Sequence, residues 1–222
     1  MATYYKAGTK ILRVGSSSLL IPHASSKTVY TDNFDAYVVG NLGGQGYWVD
    51  SLNHITVVDE SGNKTVGTTD TTFLDHLCYY NRALAAAQYA KFVITTMTAS
   101  ARAIGVAVRC AASGNGYCYY ATSAERYLFK LVAGAEVQMC SGSTAAGVNA
   151  SDTMELRANG TSIQAYYNGA LDTLLGAAIA PTTGSNGNYV DSVFSSGFAG
   201  VVGFGGDTGY LADADTWEGG EL

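Results

Sequence analysis

The chain has 222 residues, 27 of them glycine and 16 tyrosine, with only 2 prolines and a charged fraction of 14%. Its net charge of −6 argues against nucleic-acid binding, and no run approaches the ~20 apolar residues that a membrane-spanning helix needs. The profile suits one all-β domain with many glycine turns and a well-filled core.

Residues 1–27 form an N-terminal arm ahead of a body at 28–222. The opening Met-Ala-Thr-Tyr-Tyr-Lys is not followed by an apolar leader, so synthesis in a cytoplasm is the expectation. Residues 1–31 carry Lys6, Lys10, Arg13 and Lys27 and no acid, a balance of +4, whereas the remainder sums to −10. Ile11, Leu12 and Val14, then Leu19, Leu20 and Ile21, make two apolar clusters that need cover, either from the body or from another chain.

From Thr28 the pattern is of short strands. Val29–Phe34 opens the body, 40–46 is a glycine-rich loop, and Tyr47–Val49, Ile55–Val58 and Phe73–Tyr80 are strand candidates. Arg82–Ala87 can make a helical turn before the β-like Tyr89–Thr96. A hairpin covers 104–122, Arg126–Val132 and Glu136–Cys140 are joined by Ala133-Gly134-Ala135, and Thr182–Asn188 is a polar loop. The most specific stretch is Asp152–Leu175. Its Asn159-Gly160 and Asn168-Gly169 pairs are type I′ turn formers, and they separate alternating runs that put Met154, Leu156 and Ala158, then Ile163, Ala165 and Tyr167, on single faces. This predicts a three-strand meander. About a dozen such strands make a β-sandwich.

The order of short motifs carries a resemblance. Asp-Asn-Phe near the start is followed by Trp48, Gln88-Tyr-Ala-Lys-Phe-Val-Ile and Gly105-Val-Ala-Val-Arg. Later come Tyr127-Leu-Phe-Lys-Leu-Val-Ala-Gly, Leu156-Arg-Ala-Asn-Gly, Ala165-Tyr-Tyr-Asn-Gly and a terminal Asp-x-x-Trp-Glu-Gly-Gly. From Val29 to Gly220 the chain resembles the concanavalin A-like superfamily, in particular laminin-G-like jelly rolls of bacterial and bacteriophage proteins. The resemblance implies two stacked antiparallel sheets, neighbouring chain ends, buried Phe34 and Trp217, and a concave face where sugar-binding relatives take their ligands. The fold also serves glycosidases and structural modules, so function has to come from the site.

Catalytic motifs are absent. Superfamily glycosidases alternate acids along one strand as Glu-x-Asp-x-x-Glu, whereas Glu60, Glu125, Glu136, Glu155, Glu218 and Glu221 stand isolated here. Glu155 and Arg157 share a strand face and read as a solvated ion pair. Gly203–Gly209 lacks the helix of a dinucleotide site, and His23, His54 and His76 lack metal-ligand spacing. Asp32, Asp35, Asp213 and Asp215 could gather around calcium if the first and last strands pair, although solvated turn acids are the plainer reading. No cofactor and no metal is expected. Cys110 and Cys118 flank a turn centred on Gly114 and are a candidate disulfide pair if its loop holds three residues. Tyr117, Tyr119, Tyr120, Tyr166 and Tyr167 come as adjacent strand residues, so some rings can face a ligand or an interface.

Three functions fit these features. The first is a non-enzymatic structural protein of a bacteriophage particle (capsid decoration, tail or fibre) made in the host cytoplasm and residing in the virion. It would contact other virion proteins and copies of itself through an arm comprising Lys6, Lys10, Ile11, Leu12, Arg13, Val14, Leu19, Leu20 and Ile21. The alternative is a carbohydrate-binding, lectin-like module. A glycoside hydrolase is the weakest of the three.

Overall fold

A computed structural model describes residues 27–50, 54–68, 75–98, 102–140, 142, 147–205 and 212–222, with the backbone of three strands in the arm. Those three are β1 (Thr3–Lys6), β2 (Thr9–Val14) and β3 (Ser17–Pro22). They form a separate antiparallel sheet in which Tyr4, Ile11 and Leu20 are register partners. The side chains expected to form the assembly arm lie outside the described residues.

The body begins with β4 (Val29–Asp32), β5 (Gly40–Asn41), β6 (Trp48–Asp50), β7 (Ile55–Glu60), β8 (Asn63–Thr68) and β9 (Asp75–Tyr80). It continues through β10 (Gln88–Met97), β11 (Ala103–Ala111), β12 (Asn115–Ala121), β13 (Arg126–Val132), β14 (Ala135–Gln138) and β15 (Thr153–Asn159). The last strands are β16 (Ser162–Tyr167), β17 (Ala170–Leu171), β18 (Thr183–Ser185), β19 (Asn188–Val190), β20 (Phe198–Phe204) and β21 (Ala212–Glu221). An 11-stranded sheet runs β18-β19-β16-β15-β10-β21-β8-β7-β5, with β17 on β16 and β4 on β21; a 7-stranded sheet runs β14-β13-β12-β11-β20-β9-β6. All pairings are antiparallel, and the main core lies between the sheets.

Period-two alternation explains the core. Ala90, Phe92 and Ile94 of β10 and Met154, Leu156 and Ala158 of β15 point inward, against Ile104, Val106 and Val108 of β11 and Tyr117 and Tyr119 of β12. The meander is as predicted, but its turns differ. Asn168 and Gly169 both take positive φ (49° and 78°) between paired Tyr167 and Ala170, a type I′ arrangement. Asn159 instead stays in the ladder opposite Ser162, leaving Gly160-Thr161 as the loop. The expected helical turn at 82–87 is extended and bent, and the expected loop at 182–188 holds most of the β18–β19 hairpin. Phe34 and Trp217 are buried, and the first and last body strands pair, with Asp32 opposite Trp217.

The outward face of the 7-stranded sheet carries a second apolar cluster. Leu77, Tyr79, Cys110, Cys118, Tyr120, Phe129, Leu131 and Val202 are each 9% exposed or less. Asp75 on β9 reaches Glu136 on β14 although four strands separate these two in the sheet, so the sheet curls strongly about this face. This is the concave face.

Candidate functional site

The 11-stranded sheet is interrupted beside β21. On the side of β21 away from β10, β4 pairs with Trp217–Gly220 and β8 pairs with Asp213 and Ala214. Asp215 and Thr216 between them are unpaired on that side, Thr216 has a φ of 54°, and the register with β10 shifts between Lys91 and Val93. A bulge of this kind bends a strand and opens the ladder. After β4, Phe34 takes a φ of 61° and the chain turns away from β21. The gap becomes a cleft of about 630 Å³, walled by Asp32, Asn33, Tyr37, Tyr47, Tyr80, Lys91, Trp217 and Glu218.

Its aromatic wall is built in depth. Trp48 and Trp217 sit edge-on with ring centroids 4.9 Å apart, Tyr80 packs 5.3 Å from both, and Tyr47 packs 5.5 Å from Tyr80. Tyr47 reaches solvent at 46% exposure, with the Arg82 guanidinium 3.6 Å from its ring centroid. Asp32 organises the opposite wall. Its carboxylate accepts from the Tyr37 hydroxyl (2.5 Å), Trp48 Nε1 (2.9 Å) and the Phe34 amide (2.9 Å). Burial, then the bond to Asp32, pushes the Tyr37 hydroxyl up, so it remains protonated. Glu218 accepts from Tyr89 and pairs with Lys91 at 3.0 Å. Burial opposes its ionisation, but these two partners outweigh burial and hold the carboxyl below the usual carboxylate range. Both cleft carboxylates are thus engaged, and the cleft offers a ligand aromatic surface, amides and hydroxyls.

The residues singled out from sequence fall elsewhere. Tyr117 and Tyr119 are fully buried and Tyr120 nearly so. Tyr117 donates to Asp191 (2.7 Å) and Tyr119 to Asp172 (2.7 Å), inside the buried networks that hold Lys130 and Arg126. They are core residues because the sandwich buries both faces of β12, the inner face against the other sheet and the outer face in the concave cluster. Tyr166 and Tyr167 are half-buried, each beneath an arginine: Arg157 lies 4.2 Å from Tyr166 and Arg126 lies 4.1 Å from Tyr167. Cys110 and Cys118 are free thiols on the same outward face. The loop does hold three residues, but Ala111 faces Asn115, and Arg109 with φ 55° introduces a bulge. Cys118 therefore pairs with Ala107, and Cys110 faces Phe198, so the expected cross-strand pair is not formed.

Two further corrections concern titratable groups. The glutamates are not all isolated, for Glu136 meets Asp75 and Glu60 meets Asp213. Burial first, then the neighbouring acid, raises both aspartates to about 7. His54 and His76, distant in sequence, have ring centroids 4.3 Å apart; His23 lies outside the described residues. The calcium candidates do not gather. Asp35 accepts from Asn33 (2.8 Å), Asp215 from the Thr216 amide (2.6 Å), and Asp213 faces Glu60. Among the described residues no three His, Cys, Asp or Glu side chains converge as metal ligands.

The sequence reading missed Tyr37, Tyr47 and Lys91 because they come from three separate segments. The one usable signal was the expected closeness of the first and last strands, which places Asp32 beside Trp217 and Glu218.

No family profile matches the chain, and no curated protein matches it. Solved structures do. The carbohydrate binding module CBM66 from Bacillus subtilis superposes with a TM-score of 0.53 at 18% identity, over 78% of this chain and 93% of that one. A Bacillus subtilis protein of unknown function with a galectin-like fold gives 0.54 at 5% identity, over 86% and 94%. The exoplasmic domain of VIP36, bound to Ca²⁺ and Man3GlcNAc, gives 0.53 at 9% identity, over 83% and 87%. The fold is a concanavalin A-like jelly roll. The GH43 protein BlXynB from Bacillus licheniformis also matches (0.54, 12% identity), with this chain covering 45% of its length.

Proposed function

We propose that this protein is a non-catalytic carbohydrate-binding module, and that its ligand occupies the cleft between β4, β10 and β21. The observation that carries the reading is the cleft itself. Its volume of about 630 Å³ lies within the range of small-ligand sites, and it combines Tyr37, Tyr47 and Tyr80 with polar groups from Asn33 and Lys91. Sugars ask for that combination, since their apolar C–H faces pack on aromatic rings while their hydroxyls need donors and acceptors. Relatives of the same fold that are named for sugar binding or solved with a glycan support it. The matching glycosidase does not extend the reading to catalysis, because the cleft acids are bound to their own neighbours.

The test is affinity electrophoresis through gels containing xylan, mixed-linkage β-glucan, galactomannan or levan. The protein should be retarded in at least one, and Tyr47→Ala should abolish most of the retardation. Free migration of the wild type in all four would overturn the proposal, as would undiminished retardation of the variant.

A second reading is a structural role in a bacteriophage particle, with synthesis in the host cytoplasm and the arm as the attachment. It is supported by the arm's separate sheet and by its charge of +4 against the body's −10. The two readings are compatible, since a sugar-binding jelly roll can be carried on a particle.

A further inference from the structure

A second groove, of about 390 Å³, lies beside the cleft, and Lys91 and Glu218 wall both. We propose that the two form one track for an internal stretch of an uncharged glycan chain, with Tyr89 as a stacking platform in the second groove. This rests on the reading of the cleft as a glycan site.

Three observations carry it. First, the track is long. Tyr89, Lys91 and Val93 alternate onto the outward face of β10, with Val93 in the cleft and Tyr89 in the groove. Four residues at about 3.4 Å each separate them by about 14 Å, more than one sugar ring. Second, Tyr89 is laid out as a platform. It pairs with Gly220, and a Cβ at that glycine would stand 2.8 Å from the ring, so the ring lies over bare backbone. Its hydroxyl donates to Glu218, which fixes the ring, and the residue lines the groove.

Third, the acids along the track are already matched. Lys91 holds Glu218 (3.0 Å), Arg157 holds Glu155 (2.5 Å), and Glu221 accepts from the Thr28 and Ala85 amides (3.1 Å each). Lys27 also lines the groove, but an acidic ligand would face Glu155, Glu218 and Glu221 and would have to draw Lys91 and Arg157 away from them, whereas hydroxyls can bridge these contacts. The geometry therefore favours a neutral polymer over an acidic one.

The experiment is calorimetric titration of the intact protein with cello-, xylo- and manno-oligosaccharides of one to six residues, with polygalacturonate as the acidic comparison. In the series that binds, affinity should rise about tenfold or more between two and four residues and then level off. Tyr89→Ala should remove most of that gain while weakening a disaccharide far less, and Tyr89→Phe, which keeps the ring but loses the bond to Glu218, should retain more of the gain than Tyr89→Ala. Full affinity for a monosaccharide or disaccharide, or tighter binding of polygalacturonate, would overturn the track and leave the cleft as a sugar site. An unchanged length dependence in folded Tyr89→Ala would do the same. No binding in any series, combined with free migration in every polysaccharide gel, would overturn the cleft reading and the track with it.

Discussion

The two outward faces of this sandwich are opposites. On the 7-stranded sheet, side chains fill the concavity: Tyr120 packs edge-on to Phe129 at 4.7 Å, Tyr79 stacks on Phe198 at 5.0 Å, and about 60 Å³ remains open beside them. On the 11-stranded sheet the strands are flanked by charged and polar residues, yet one bulge in β21 opens ten times that volume. Concave shape alone does not make a site. What matters is whether the sequence leaves the concavity empty, and here aromatic and aliphatic residues on β9, β12 and β13 occupy it. The binding surface moves to the place where the hydrogen-bond ladder fails.

The largest expected effect separates the faces by stability. Phe129→Ala should cost about 3–5 kcal/mol, the range for truncating a fully buried aromatic. Tyr47→Ala, at a half-exposed ring, should cost under about 1 kcal/mol while removing glycan binding. Urea unfolding of both variants checks this. A small loss for Phe129→Ala would mean that the concave face is not core.

An intermediate effect concerns the acid pair on the concave face. Asp75 in the folded protein is raised to about 7, chiefly by burial and then by Glu136, whereas an unfolded aspartate titrates near 3.9. Between about pH 4 and 7 the folded state keeps a proton that the unfolded state has released. Stability therefore falls as pH rises through that window and stays lower above it. Asp75→Asn cannot ionise, and its amide can donate to Glu136. Its melting temperature should match the wild type at about pH 4 and below and exceed it at pH 8; a lower value at pH 8 would contradict the burial argument. Asp213 beside Glu60 adds a wild-type dependence of the same sign.

The smallest effect belongs to the arm. Its strands form their own sheet, and the body's sheets are complete without them. Deleting residues 1–27 should leave a folded body whose melting temperature changes by a few degrees, measured by circular dichroism. If the arm also joins copies or particle neighbours, light scattering should show the truncated protein as the smaller species. Loss of folding would make the arm part of the body.

Most of the fold was legible because it is local. Alternation along Thr153–Asn159 and Ser162–Tyr167 and the Asn168-Gly169 turn dictate strand pairing over a few residues, and the motif order supplied the sandwich. The site was not legible, since it depends on departures from alternation. The positive φ of Thr216 and the turn at Phe34 carry no residue signature of the kind glycine gives, and they join residues 32, 47, 91 and 218. The tyrosines misled for a related reason. Neighbouring rings on β12 do point to opposite faces, but both faces are covered, so alternation gave their direction and not their exposure. The Cys110–Cys118 pairing failed because the three-residue loop is centred on Ser113 and not on Gly114, which already moves Cys110 away from Cys118, and the bulge at Arg109 shifts the register by one residue more.

The central claim is that sugar binds at the break in the 11-stranded sheet and not in the concave face. Hydrogen–deuterium exchange with and without the polysaccharide that retards the protein tests it directly. The account predicts added protection in segments 31–47, 88–93 and 214–220, with none in 75–79 and 117–131. Protection confined to those last two segments would place the ligand on the concave face and contradict it.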